Sequence, residues 1–252
     1  FSPSCSQTFW STSFFSASIT VTKSQQAIIS HNIPPSTTMT DWILVTGQPS
    51  SGKTTAVKKL VEFLESNGFE CRGFFTDEVL DKKNNVRIGF DVVTVPDGKR
   101  GILSRVEGLP SNYPKTGKYR VDVESFERLA LPSLCVPPED DLASTGETKR
   151  KIHNNNNNNN KKEDKKPVIL ILDEIGRMEL HSKEFPQHVR DLLSKGVRLV
   201  GALTAPRYGH RVPFCDEIAA HDSVQVHNLT KKTRDDITDK LLQYIQDSWI
   251  NK

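Results

Sequence analysis

The stretch "GQPSSGKTT", Gly47 to Thr55, follows the apolar run "WILVT" and fits the pattern G-x-x-x-x-G-K-[ST]. Its residue types suit one task, holding a polyphosphate. Gly47 and Gly52 let the backbone curl so that the amides of Gln48, Pro49's successor Ser50, and Ser51 turn toward phosphate oxygens. A helix starting at Lys53 adds the partial positive charge of its N-terminus. Lys53 is placed to reach the β- and γ-phosphates, the Thr54 hydroxyl to ligate Mg²⁺, and Thr55 to contact the α-phosphate. The segment Gly47 to Thr55 is therefore the candidate nucleotide-binding loop.

Such a loop needs a carboxylate partner for its metal, and "VILILDEIG" offers one. Its apolar residues deliver Asp173 to the C-terminal end of a buried strand, where ligands bind in open α/β sheets. Asp173 is the expected Mg²⁺ partner of Thr54, and Glu174 beside it is the candidate base that orients and deprotonates a water. Other strand ends offer polar groups: Thr76, Asp77 and Glu78 after "GFF", and Thr204 after "VGAL". Arg177 and Arg207 could neutralise charge on a transferred phosphoryl group.

Three readings compete for this constellation. In a nucleoside triphosphatase, water is the acceptor. In a small kinase, the same loop serves another acceptor and usually an Arg-rich lid. In a nucleotide-dependent switch, turnover is negligible. The arginines between residues 100 and 130 (Arg100, Arg105, Arg120, Arg128) are spread out rather than clustered, and a switch has no need of Glu174. The hydrolase reading leads, with the kinase next.

The elements that must position these groups alternate along the chain. "WILVT" reads as a strand. "GKTTAVKKLVEFLESNG" reads as a helix with Val57, Leu60, Val61 and Leu64 on one face and Gly68 at its end. "CRGFFTDEV" is a strand, and "NNVRIGFDVVTVPDGKRGILSRV" is a hairpin turning at "PDG". "VDVESFERLALPSL" is a helix that Asp122 can cap, and "PVILILD" is a fully apolar, parallel strand. Helix "EFPQHVRDLLSKG", strands "VRLVGALT" and "SVQVHNL", and a last helix "TKKTRDDITDKLLQYIQDSW" complete the pattern. The alternation predicts a layered α/β fold, mainly parallel, with the hairpin as an antiparallel addition.

Two segments stand apart. Residues 1–40 are rich in Ser and Thr, lack Asp, Glu and Arg, and carry a single lysine, Lys23. They read as a disordered leader resembling an organelle transit peptide, or as sequence upstream of an initiator at Met39, which would make the protein cytoplasmic. Residues 136–167 are polar, are flanked by prolines and contain the Asn run 154–160; they read as a disordered surface insertion in a domain spanning 41–250.

The 252 residues carry 34 basic and 31 acidic side chains, a net charge of +3. That balance gives no argument for a nucleic-acid partner. No apolar run reaches the ~18 residues of a membrane helix. Cys5, Cys71, Cys135 and Cys215 have no CxxC spacing and read as reduced thiols. A monomer is the simplest reading.

"GQPSSGKTT", "GFFTDEV", "RIGFDVVTV", "VDVESFERLALPSL" and "LDEIGRMEL", in this order, resemble the cancer-related nucleoside-triphosphatase family, small P-loop enzymes shared between animals and thermophilic microbes. The resemblance runs from about Trp42 to Gln246 outside the Asn-rich insertion. It implies a RecA-like α/β fold and Mg²⁺-dependent hydrolysis of nucleoside 5′-triphosphates, such as ATP and GTP, to diphosphates and phosphate with broad base selectivity. It implies nucleotide binding by Gly47 to Thr54 and catalysis by Asp173 and Glu174. A basic residue is also expected after the strand ending near residue 203, where "APRYGHR" offers Arg207 and Arg211.

Overall fold

The apolar runs fold as neighbouring strands of one sheet. The computed structural model describes residues 41–136, 166–206 and 210–251, all within the compact unit Thr38–Lys252. Met39, the Asn run and Arg207 lie outside the described residues.

Strand β1 (Trp42–Gly47) leads through the phosphate loop into helix α1 (Lys53–Ser66), and β2 (Glu70–Leu80), β3 (Arg87–Val95) and β4 (Arg100–Arg105) follow. Two short strands, β5 (Lys115–Thr116) and β6 (Tyr119–Val121), precede α2 (Val123–Ser133) and β7 (Val168–Ile175). A 3-10 turn (Glu179–His181), α3 (Phe185–Ser194), β8 (Leu199–Thr204), α4 (Pro213–Ala219), β9 (Val224–Asn228) and α5 (Arg234–Ile245) complete the unit.

The strand order is β5-β6-β4-β3-β2-β7-β8-β1-β9. Strands β2, β7, β8, β1 and β9 run parallel, and the remainder is antiparallel. The expected hairpin is present as β3 and β4, and β5–β6 widen that antiparallel wing. Strand β8 separates the loop-bearing β1 from the acid-bearing β7.

Period-2 alternation makes two cores, one on each face. Ile43, Val45, Ile169, Ile171, Val200 and Ala202 pack under α1 and α5. Leu44, Phe74, Leu170, Leu172, Leu199 and Leu203 pack under α2, α3 and α4. Helix α1 buries Val57, Leu60, Val61 and Leu64, the face its sequence spacing predicts. At the start of α2, the Asp122 carboxylate accepts from the Ser125 amide at 3.0 Å, an N-cap that satisfies one free helix donor. Helix α4 carries no strong period in its seven residues and was not expected; it buries Cys215 and Ile218. Among the described residues, no helix is long and apolar enough to cross a membrane.

Phe74 of β2 joins the sheet to two helices. Its ring lies 5.6 Å from Phe126 of α2 and 6.3 Å from Phe185 of α3, and those two lie 5.3 Å apart. All three rings are fully buried. Phe74→Ala is expected to lower unfolding free energy by roughly 3–5 kcal/mol in urea denaturation, because a large void opens where the helices meet. A loss below ~1 kcal/mol contradicts that role for the ring cluster.

Candidate active site

The phosphate loop leaves β1 at Gly47, and α1 starts at Lys53. Ser50 (φ 62°) and Gly52 (φ 99°) sit in the left-handed region, which produces the tight curl. The Ser51 amide donates to the Gln48 carbonyl at 3.1 Å, and the Ala56 amide donates to the Gly52 carbonyl at 2.9 Å. Ser51 is buried, and its Oγ has no hydrogen-bond partner. The Lys53 ammonium folds back on the loop and donates to the Gly47 carbonyl at 3.3 Å.

Asp173 ends the apolar run of β7 and is 1% exposed. By alternation it points with Ile169 and Ile171 toward α1, where the Thr54 hydroxyl donates to its Oδ1 at 3.3 Å. Its Oδ2 is buried without a hydrogen-bond partner. The Thr76 hydroxyl of β2 donates to the Asp173 carbonyl at 2.7 Å. Burial, and next the charge of Glu174, push the Asp173 carboxyl well above the usual carboxylate range; Thr54 and Lys53 pull it back. A hydroxyl and an orphaned carboxylate oxygen side by side are oxygen donors of the kind that would suit a hard divalent cation.

Glu174 owes its direction to a break in register. Asp173 pairs with Ala202 and Ile175 with Leu203, so Glu174 is an extra residue against β8. Such a bulge breaks the alternation: Ile175, an odd position like Ile169 and Ile171, packs in the opposite core with Leu170 and Leu172. Ile175 stays in the core, while Glu174 turns to Lys53, with Nζ to Oε2 at 3.7 Å. The Thr204 hydroxyl at the end of β8 donates to Glu174 Oε1. Lys53, Thr54, Thr204, Asp173 and Glu174 thus meet in one place.

Other sequence candidates are engaged by other partners. Glu78 pairs with Arg87 of β3. Asp77 accepts from Lys58 at 3.0 Å and from Arg100 at 2.6 Å, and Asp91 holds Arg100 and Arg105. Arg177 is exposed and donates to the His210 carbonyl at 2.7 Å. Arg211 pairs with Asp216 at 2.7 Å.

Sequence reasoning missed Glu179. The turn after β7 brings it back under the site, 4% exposed. A Cβ at Gly176 would stand 2.9 Å from Glu179 Oε2, 3.0 Å from Thr204 Oγ1 and 3.3 Å from Glu174 Cγ, so the three side chains close around one glycine. Burial, with the charge of Glu174 next, pushes the Glu179 carboxyl up to about 8. Its one signal in the sequence is an acid set between Met178 and Leu180 in a turn that buries.

This architecture, a parallel sheet with a phosphate loop between β1 and α1 and an acidic strand one position beyond β8, is the P-loop α/β class. A family model described as NTPase matches residues 42–148 and 146–242. The mouse cancer-related nucleoside-triphosphatase homolog (Mus musculus) is 36% identical over 214 residues, 83% of this chain and 99% of that one. The crystal structure of THEP1 from the hyperthermophile Aquifex aeolicus superposes with a TM-score of 0.59 at 29% identity, covering 84% of this chain and 99% of that one. The solution structure of a human cancer-related nucleoside triphosphatase gives 0.61 at 36% identity, covering 82% and 97%. The chain belongs to this NTPase family.

The raised Glu179 carboxyl carries a sign. The stability contributed by its protonated form is complete below about 4.5 and is lost as pH rises through about 8. The stability of the wild type relative to Glu179→Gln, measured by denaturation without divalent cations, is therefore expected to fall steadily across that window. A difference independent of pH contradicts the burial of an ionisable Glu179.

Proposed function

We propose that the chain hydrolyses nucleoside 5′-triphosphates to nucleoside diphosphates and phosphate, in a Mg²⁺-dependent reaction with broad base selectivity. The observation that carries this reading is the placement of Glu174. It stands 3.7 Å from the phosphate-loop lysine and is fixed by Thr204. A base beside the γ-phosphate position has a use in hydrolysis and none in mere binding. The names of the relatives, nucleoside-triphosphatases, support the same activity.

Each residue then has a role. The loop N–H groups between Gly47 and Thr55, of which Pro49 has none, and the Lys53 ammonium hold the β- and γ-phosphates in line with an attacking water. Thr54 and Asp173 would hold Mg²⁺, and the ionised form of Asp173 is favoured by a cation at its free Oδ2. When bound, the metal supplies charge neutralisation on the phosphate oxygens. Glu174 Oε2 takes a proton from water as its oxygen bonds to the γ-phosphorus, while the bond from that phosphorus to the bridging oxygen breaks. The electron pair of that bond leaves with the diphosphate. All these groups act on the triphosphate, the part common to every nucleoside triphosphate, which supports broad base selectivity.

The functional unit is read as residues 41–250 with 136–167 as an insertion. Where described residues resume, at Lys166, the chain enters β7 at the end opposite Asp173.

Phosphate release from ATP, GTP, CTP and UTP with Mg²⁺ and no added acceptor is expected. Glu174→Gln should retain nucleotide binding and lose turnover by about 10²-fold or more, the scale of a general base. Lys53→Ala should weaken both binding and turnover. Release that appears only with a nucleoside or small-molecule acceptor replaces this reading with the kinase one.

A further inference from the structure

Arg234, the first residue of α5, lies across the phosphate loop. A Cβ at Gly52 would stand 2.9 Å from Arg234 Cδ and 3.6 Å from its Nη1, so the glycine is what admits the side chain. The approach is built by β9, which runs beside β1. The Leu229 amide donates to the Thr46 carbonyl at 2.7 Å, and the Arg234 amide donates to the Thr230 carbonyl at 3.0 Å. The guanidinium has one ion-pair partner among the described residues, the exposed Asp235, with Nε to Oδ2 at 3.6 Å, and this contact holds its Nε side only. The Arg234 side chain keeps 45% of its surface open.

The sheet order gives a bound triphosphate a direction. Asp173, Glu174 and Thr204 end β7 and β8, on one side of β1; β9 and α5 lie on the other. With its γ-phosphate at Glu174, a nucleotide on the loop sends its α-phosphate and nucleoside toward β9 and α5. Arg234, lying against Gly52, is on that flank.

We infer that Arg234 and the turn Thr230–Thr233 form the nucleoside subsite, with the planar guanidinium stacking on the nucleobase. The inference rests on the nucleotide reading above. Guanidinium stacking engages the π-face that every base has and reads no hydrogen-bond edge. It therefore adds affinity without choosing among bases.

The test is calorimetric binding of ATP, GTP, CTP, UTP and inorganic tripolyphosphate, with Mg²⁺, to the wild type, Arg234→Ala and Arg234→Lys. Arg234→Ala is expected to raise Kd for all four nucleotides by about tenfold, the factor that 1.4 kcal/mol gives, and to leave tripolyphosphate unchanged. Arg234→Lys, which keeps the charge and loses the plane, should recover little of the loss. Equal weakening of tripolyphosphate, recovery by lysine, or unchanged nucleotide affinity each overturns the inference. Nucleotide binding without phosphate release by the wild type sinks the hydrolase reading and leaves this one standing; a wild type that binds no nucleotide sinks both.

Discussion

One contact spans the sheet and ties its two functional halves together: the Thr54 hydroxyl to the Asp173 carboxylate at 3.3 Å. Thr54 sits in the first turn of α1, above β1, and Asp173 ends β7, with β8 between the two strands. A carboxyl buried this deeply is costly unless something answers it. Thr54 answers one oxygen and Lys53 lies near; the second oxygen has no hydrogen-bond partner. The apolar body of β7 is what puts the acid there, since Ile169 to Leu172 pack on both faces and let the strand end in only one place.

The adjacent acids do different work because their environments differ. Asp173 follows the strand's alternation into the space below α1. Glu174 is released from that alternation by the bulge against β8 and reaches Lys53 and Thr204 at the rim. Without the bulge, alternation would send successive side chains to opposite faces of the sheet. A one-residue irregularity in hydrogen bonding thus converts a structural strand end into a pair of convergent carboxylates. Glu179 adds a third beneath them, and its burial favours the neutral form, which limits the negative charge gathered at one point.

What the sequence revealed was local. The glycine spacing of residues 47–52, the apolar run before Asp173, the period of α1, the "PDG" turn and the Asp122 cap each depend on neighbours in the chain, and each element formed as read. What it hid was tertiary. The bulge depends on how β8 lies against β7. The burial of Glu179 depends on the turn at Gly176 closing under Thr204. The approach of Arg234 to Gly52 joins residues on different elements. Strands β5 and β6 and helix α4 are too short for a periodic signal. Glu78 and Arg177 look the same in sequence as functional strand-end residues, and only their partners, Arg87 and the His210 carbonyl, show where they are engaged.

We propose that water attacks the γ-phosphorus of a nucleotide held between the phosphate loop and Asp173. Turnover in ¹⁸O-labelled water, read by mass spectrometry of the products, tests it most directly. One labelled oxygen is expected in the inorganic phosphate and none in the nucleoside diphosphate. Label in the diphosphate, or unlabelled phosphate, contradicts direct attack by water at the γ-position.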